Sequence, residues 1–541
     1  METKNLNYDV AILGAGPQGL NLASWIKKER PNSNIIVLEG QKKYPHKIGE
    51  STLSGFCKAI RSNDVRHEVF QRLFYTKKGL GFWHCNEKNK DLTTLPEYII
   101  ETFDETFQIE RRTFDELLEK NCQKQGITIT RGARVNASGC NLSSNGNKIK
   151  YIQDGKEMFL DCKIVVDATG PASIINNHYC SDGDYMESDV PFQTSAVWAY
   201  YKNVKWLKDY ENWALDAENP RDEYTQHLCF KEGWVWYIPL VSWQKSEPEN
   251  LSAMLIYLSD PENPVLDRDV LASTFNCVYE QIWSIGISLR NDRDNIINEE
   301  GSLATFEKYI EKIPTLKQLL DGAELLDGYY PNHKPFAKRL NFRRRAKQIA
   351  GDGWLTVGDA AFFIDPLRSP GLTGGVAMGY HAKTAILKAL SENNFSKSTF
   401  VGYVKRIEEL HEMLEDQNQM AYMSHNHPEA ISLIRRFGEV SSRGHYNEFK
   451  HQDDYKFQDT NVWGHLYTEH FRMQKQVLRI MHEEEFIVGS EKKIEEQSAD
   501  DYNRMIHKIK EVIGDYLQEN LYLNPFTVVN ERKINETVEM V

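Results

Sequence analysis

The chain opens with two short hydrophobic runs separated by a helical pattern. Tyr8 to Leu13 is a strand-like run, and Leu20, Ala23 and Ile26 follow at the spacing of one helix face. A second run, Asn34 to Leu38, ends in Glu39. Between the first run and the helix stands Gly14-x-Gly16-x-x-Gly19. Strand, glycine turn, helix, strand and acid in that order predict a dinucleotide-binding βαβ unit. Gly14 permits the tight turn, Gly16 lets backbone approach a pyrophosphate, and Gly19 lets the helix pack close to the strand. The helix N-terminus offers unpaired N–H groups to the phosphates. Glu39, twenty residues past Gly19, is placed for a ribose hydroxyl.

Further along, Pro45 to Thr52 reads as a loop entering a helix that Ser51 or Thr52 caps. Lys77, in Lys77-x-Gly79-x-x-Phe82, reads most simply as a solvated loop charge; held beside apolar walls it could do chemistry. A helix is predicted from near Thr113 to Gly126, with Phe114, Leu117, Leu118 and Cys122 on one face. Strands at Ile127–Thr130 and Ile164–Val166 follow, the second ending in Asp167 and the Gly170 turn. These units suit one doubly wound sheet. Residues 139–160, with turns at Ser144-Asn145-Gly146 and Asp154-Gly155, predict a small antiparallel excursion.

From about 181 to 330 aromatics are dense, and the runs Thr194–Tyr201, His227–Leu240 and Leu251–Leu258 predict a second, mostly antiparallel sheet. Trp234, Trp236 and Ile238 share one strand face, and Pro239 is expected to end that strand or sit at an edge. The basic run Arg343-Arg344-Arg345 reads as a solvated face. Trp354–Val357 is a strand running into Gly358-Asp359, and helical spacing resumes from Val376 to Leu390 after a glycine-bearing loop, a second flavin- or anion-facing helix start. Beyond 395 the pattern is mainly helical. Its clearest stripe, from Tyr502 through Ile509 to Leu517, reads as core, and the tail past Asn530 as loose. The expected architecture is α/β: a Rossmann-like first part at 1–180, a substrate-covering antiparallel sheet region at 181–330, a return segment at 331–394, and a helical C-terminal region at 395–541.

A length of 541 residues exceeds one ordinary core. The 40% hydrophobic and 26% charged residues are those of a globular protein. A formal net charge of −13 argues against nucleic-acid binding. There is no apolar run of about 18 residues, so no membrane span is expected, and the first strand starts too early to leave room for a signal peptide. The eight cysteines are scattered without zinc-ligand spacing, and His425 and His427 lack ligand company, so no metal site is expected. The cysteines read as reduced thiols of a cytoplasmic protein.

Taken together, these motifs resemble the flavin-dependent halogenases, over roughly residues 8 to 382 and in that family's order. The resemblance implies FAD held by Gly14, Gly16, Gly19 and Glu39, by Gly49, Glu50 and Ser51 near the flavin ring, and by Arg111 of Arg111-x-x-Phe114-Asp115. Asp167 and Gly170, then Gly358, Asp359 and Pro366, are similar to its later flavin motifs. Trp234-x-Trp236-x-Ile238-Pro239 resembles the signature that separates halogenases from hydroxylases. Lys77 is similar to the catalytic lysine, with Lys78 the fallback one residue on.

The implied chemistry is formation of hypohalous acid from halide and a flavin C4a-hydroperoxide. Trp234 and Trp236 would screen the substrate from the flavin, and Lys77 would deliver the halogen to an electron-rich phenol or pyrrole, free or tethered to a carrier protein. A separate flavin reductase is implied, because no second nucleotide fingerprint appears. Halide would sit on Ser369 and Gly371, but the loop carries Pro370, which has no N–H. Losing one hydrogen bond to an anion costs about 1.5–3 kcal/mol. Arg368 stands where tryptophan-directed members carry a glutamate, which speaks against an indole of that type. An FAD monooxygenase or dehydrogenase that ignores halide is the alternative. A non-catalytic flavoprotein, or one whose helical C-terminal region serves as a docking platform, is the third reading.

Overall fold

The computed structural model describes residues 7–85, 97–179, 190–209, 220–331, 335–425, 427–449, 467–483, 499–520 and 526–529. The tail beyond Asn530 and Cys180 lie outside them. The first strand, Asn7–Leu13, is the centre of a sheet, because its Val10, Ala11, Ile12 and Leu13 are apolar on both faces and fully buried. Ile35–Glu39 and then Thr128–Arg131 pair parallel on one side; Lys156–Asp167 and Trp354–Thr356 pair parallel on the other. The return segment thus completes the sheet begun at the N-terminus. The expected excursion is present as the hairpin of Asn147–Gln153 with Lys156–Asp167. The helix Pro17–Glu29 follows the glycine turn, with Pro17 in its first turn. The helix expected from Thr113 already begins at Arg111 and runs to Lys124.

A second sheet has the strand order Glu324–Leu325, Thr194–Lys202, Glu280–Arg290, Gly233–Ser242, Tyr224–Phe230, Tyr75–His84, Glu97–Gln108, Phe526–Val529. All neighbours are antiparallel except Tyr224–Phe230 against Tyr75–His84. The sheet is therefore not confined to 181–330. It takes two strands from before residue 109 and one from the C-terminal tail. The architecture is α/β, as expected.

Three expectations fail, each for a physical reason. Leu251–Leu258 is not a strand but part of the helix Pro248–Ser259: Pro248 opens it, and Leu251, Met254, Leu255 and Leu258 recur at helical spacing and are buried. Pro239 does not end its strand, which continues to Ser242. Pairing with Tyr224–Phe230 stops at Tyr237, so at Pro239 that side has no ladder that needs an N–H. The basic run is not a solvated face. Arg343 is fully buried, donating to Phe192 O and Glu415, and Arg344 donates to Pro171 O (3.1 Å).

Beyond residue 400 the chain is helical: Val401–Ser424, Pro428–Phe449, Tyr467–Glu483 and Ala499–Glu519. The stripe at Met505, Ile506, Ile509, Ile513 and Tyr516 packs against Ile434, Phe437 and Met481 as core. One face of the second sheet, carrying Phe82, Trp234, Trp236 and Ile238, packs on Tyr422 and Ile431 of these helices and on Leu367. Val235 and Tyr237 point to the opposite face and a different core.

Candidate active site

The glycine turn has the shape a pyrophosphate requires. Gly14 has φ +105°, and a Cβ there would lie 2.4 Å from Ala168 O; a Cβ on Gly19 would lie 2.4 Å from Gly14 O. Gly16 differs: nothing stands within 4 Å of where its side chain would be, so its backbone faces open space. Glu39 is held over the turn by accepting the Ala15 N–H (2.9 Å), its other oxygen accepting the Gln41 N–H. The residues fit a dinucleotide cofactor.

Arg111 makes a paired contact with Asp115 (2.9 and 3.1 Å) and donates to Ile48 O (3.1 Å), which fixes the loop before Gly49. Asp167 is buried and spends both oxygens on its own turn, accepting from Thr169 and from the Ile175 N–H. It shapes the Ala168–Gly170 turn against Gly14. Asp359, beside Gly358, has its pKa pushed up to about 6 by burial, which the positive charges of Arg111, Arg339 and Arg344 oppose. Asp359, Phe363, Pro370, Gly371, Met378 and Leu414 line one cleft. Asp359 of the later flavin motif and Gly371 are thereby brought together. Gln18 was not marked by any sequence pattern; its Nε2 donates to Leu372 O (3.2 Å), tying the first glycine turn to the last loop.

Glu50 is buried and accepts from Tyr200 OH (2.8 Å), so it joins the loop of Gly49 and Ser51 to the second sheet. Ser51 and Thr52 do not cap the next helix, whose start has no side-chain cap. Ser51 Oγ instead lies 2.7 Å from Thr225 Oγ1, and Thr52 Oγ1 bridges both backbone groups of Phe107.

Lys77 is fully buried on the strand Tyr75–His84 and is not a loop lysine. Its ammonium donates to Ser51 Oγ (2.8 Å) and to Thr52 O. The ladder shifts register between Lys77 and Gly79, an irregularity of the kind that re-aims a side chain. Gly79 is required there, since a Cβ would lie 2.1 Å from Ile100 O. Loss of water pushes the Lys77 pKa down to about 7. Lys78 is partly exposed near Glu105 (3.7 Å), so Lys77 is the buried one of the two.

Trp234 and Trp236 are buried with ring centroids 5.6 Å apart. His227 lies 5.2 Å from Trp234 and stacks at 4.4 Å on Phe82, the last residue of the lysine motif. Arg435 also lies over the Phe82 ring at 4.3 Å, a contact no local pattern announced. Trp234 Nε1 donates to Tyr422 OH (3.0 Å) and Trp236 Nε1 to Ser284 Oγ (3.1 Å).

The loop of Ser369 and Gly371, where halide was expected, is strained. Arg368 and Ser369 both have positive φ, +76° and +55°, each costing about 1–2 kcal/mol for a residue with a side chain. Ser369 donates its N–H to Pro366 O (2.8 Å). Pro370 is the first residue of the helix Pro370–Glu392, a position where an N–H has no helical acceptor. The N–H groups of Gly371 and Leu372 fall in the same turn, to which Pro370 contributes none. Arg368 is committed to Glu439 (2.7 Å).

The family model for tryptophan halogenase matches residues 81–246, which include Trp234 and Trp236. The flavin-dependent halogenase malA of Malbranchea aurantiaca is 28% identical over 394 residues, 68% of this chain and 57% of malA. In sequence and in fold the chain is similar to flavin-dependent halogenases. A second halogenase relative, the 1H-pyrrole-2-carbonyl-[peptidyl-carrier protein] chlorinase of Pseudomonas fluorescens, is 23% identical, covering 73% of this chain and 79% of its own length. The crystal structure of halogenase PltM superposes with a TM-score of 0.73 at 16% identity, covering 95% of this chain and 96% of PltM. The match thus spans well under two thirds of malA but nearly all of the PltM fold. Among the described residues no helix is long and apolar enough to cross a membrane.

Proposed function

We propose that this chain is an FAD-dependent halogenase acting on an electron-rich aromatic of the phenol or pyrrole type. The observation that carries the reading is Lys77: a fully buried amine whose partners, Ser51 and Thr52, belong to the loop beside the expected flavin. Lys77 and the flavin-side loop are thus one hydrogen-bonded unit. Gly14, Gly16, Gly19 and Glu39 would hold the dinucleotide, with Arg111 setting the Gly49 loop and Asp359 and Pro366 lining the flavin side. FAD, once reduced by a separate reductase and reoxidised by molecular oxygen, would supply the two-electron oxidant and the oxygen atom that turn halide into hypohalous acid. Ser369 and Gly371 would hold the halide.

With a pKa near 7, Lys77 is present as both ammonium and amine at neutral pH. The ammonium can donate a hydrogen bond to hypohalous acid, and the amine can carry the halogen. Substitution then converts hypohalous acid and a ring C–H into a C–halogen bond and water, with orientation supplying much of the rate. The tryptophan pair, buried behind Leu367, would keep the organic ring away from the flavin. PltM has been solved with phloroglucinol and FAD, and the chlorinase relative acts on a carrier-bound pyrrole. Those two support the substrate class, whether free or carrier-tethered.

The test uses purified protein with chemically or enzymatically reduced FAD, chloride or bromide, and a panel of phenols and free or carrier-tethered pyrroles. Mass spectrometry is expected to show the halogen isotope pattern in product, and Lys77→Ala to abolish it. Oxygenated or dehydrogenated product that forms equally without halide favours the alternative, an FAD monooxygenase or dehydrogenase on this fold. Pro370 is the residue that motivates that alternative.

A further inference from the structure

The loop that would hold halide is secured almost entirely by residues of other elements. Arg368 and Ser369 stand side by side in the left-handed region, which neither side chain favours. Such a pair persists only where the surroundings over-determine it. Asp365 accepts the Leu367 N–H on one oxygen (2.9 Å) and Tyr422 OH on the other (2.9 Å). Tyr422 OH in turn accepts from Trp234 Nε1 (3.0 Å) and lies 3.2 Å from Ser288 Oγ. Arg368 Nη2 donates to Glu439 Oε1 (2.7 Å), and its Nη1 to Gln417 Oε1 (3.4 Å). Gly438 leaves room for the guanidinium: a Cβ there would lie 2.7 Å from Arg368 Nη1 and would push it aside. Both side chains of the Arg368–Glu439 pair are largely shielded from solvent, 15% and 11% exposed.

Tyr422 and Gln417 lie on the helix Val401–Ser424, and Gly438 and Glu439 on the helix Pro428–Phe449. We infer that these two C-terminal helices set the conformation of residues 365–371 for halide binding, with Glu439 and Tyr422 as positioning residues. Glu439 holds the strained corner through Arg368. Tyr422 couples the start of the loop to Trp234 in the aromatic wall. This gives the C-terminal region a role inside the enzyme rather than as an outward platform. The inference rests on the halogenase reading.

The test compares wild type with Glu439→Gln, Glu439→Asp and Tyr422→Phe, all loaded with FAD. Chloride and bromide titrations are followed by the absorbance and fluorescence of the bound flavin, which needs no turnover. Hydrogen exchange is measured on peptides covering 365–372. Steady-state kinetics separate KM for halide from KM for the organic substrate. Losing a charge-assisted hydrogen bond is expected to weaken halide binding roughly tenfold or more in Glu439→Gln. Exchange across 365–372 should quicken, while FAD affinity and KM for the organic substrate stay near wild type. Glu439→Asp should recover part of the loss. If Glu439→Gln and Tyr422→Phe keep the wild-type halide midpoint and exchange rate, the positioning role is wrong. If wild type itself gives no halide response and no halogenated product, the halogenase reading fails. The exchange experiment then still decides whether these helices hold the loop.

Discussion

Replacing Lys77 by methionine tests the central claim with a stability measurement as well as an activity assay. Methionine matches much of the lysine stem but carries no charge. Burial lowers the lysine from an ordinary 10.5 to about 7, and at about 1.4 kcal/mol per pKa unit this is a cost of about 5 kcal/mol for keeping the ammonium inside. Lys77→Met removes that cost but leaves Ser51 Oγ and Thr52 O without their donor, about 1–3 kcal/mol for a buried group. The expected balance below pH 7 is a variant more stable than wild type by about 2 kcal/mol.

The pH dependence is sharper than the magnitude. Below pH 7 the lysine is protonated in both folded and unfolded chains, and the full cost is present. Between 7 and about 10.5 the folded chain gives up a proton that the unfolded chain keeps, so wild-type stability rises with pH. The advantage of Lys77→Met should therefore shrink, then reverse, across that window. Denaturant unfolding of both proteins from pH 6 to pH 10 checks this, alongside halide-dependent turnover, which the variant should lack. A stability difference that stays flat over this range would refute the buried-ammonium account. So would a Lys77→Met enzyme that still halogenates.

Other outcomes follow from the same geometry. Lys78→Ala should change stability by less than about 0.5 kcal/mol and leave turnover intact, because its contact with Glu105 is partly exposed; thermal melts and product yield check it. Gly79→Ala should destabilise by about 1–3 kcal/mol or more, since its Cβ would strike Ile100 O, and chemical denaturation measures this. Arg343→Ala should cost about 3–5 kcal/mol, because it leaves Glu415 without its cationic partner in a buried site, and is expected to show as lost soluble yield or a lowered melting temperature.

Local chemistry explains why some features could be read from the chain alone. The glycine turn with Glu39 depends on residues within one βαβ unit, so the spacing of Gly14, Gly16, Gly19 and Glu39 carried it. Trp234, Trp236 and Ile238 alternate, and alternation by itself puts them on one face. Burial and long-range pairing are different. Whether Lys77 is solvated or dry depends on Ser51, Thr52 and the neighbouring strands, and its single charge looks the same in either setting. Arg343 reads as a surface cation until Phe192 and Glu415 are folded around it. Arg368 reads as a free positive charge until Glu439, 71 residues later, arrives on a helix from another region. Leu251–Leu258 is different, since Pro248 and the helical spacing of Leu251, Met254, Leu255 and Leu258 were already in the sequence. The amino-acid order determined the cofactor cradle and the aromatic face, because each is built from neighbours. Only the tertiary structure decided which charges are buried and what holds the loop of Arg368 and Ser369, because the partners that settle those questions are distant in sequence.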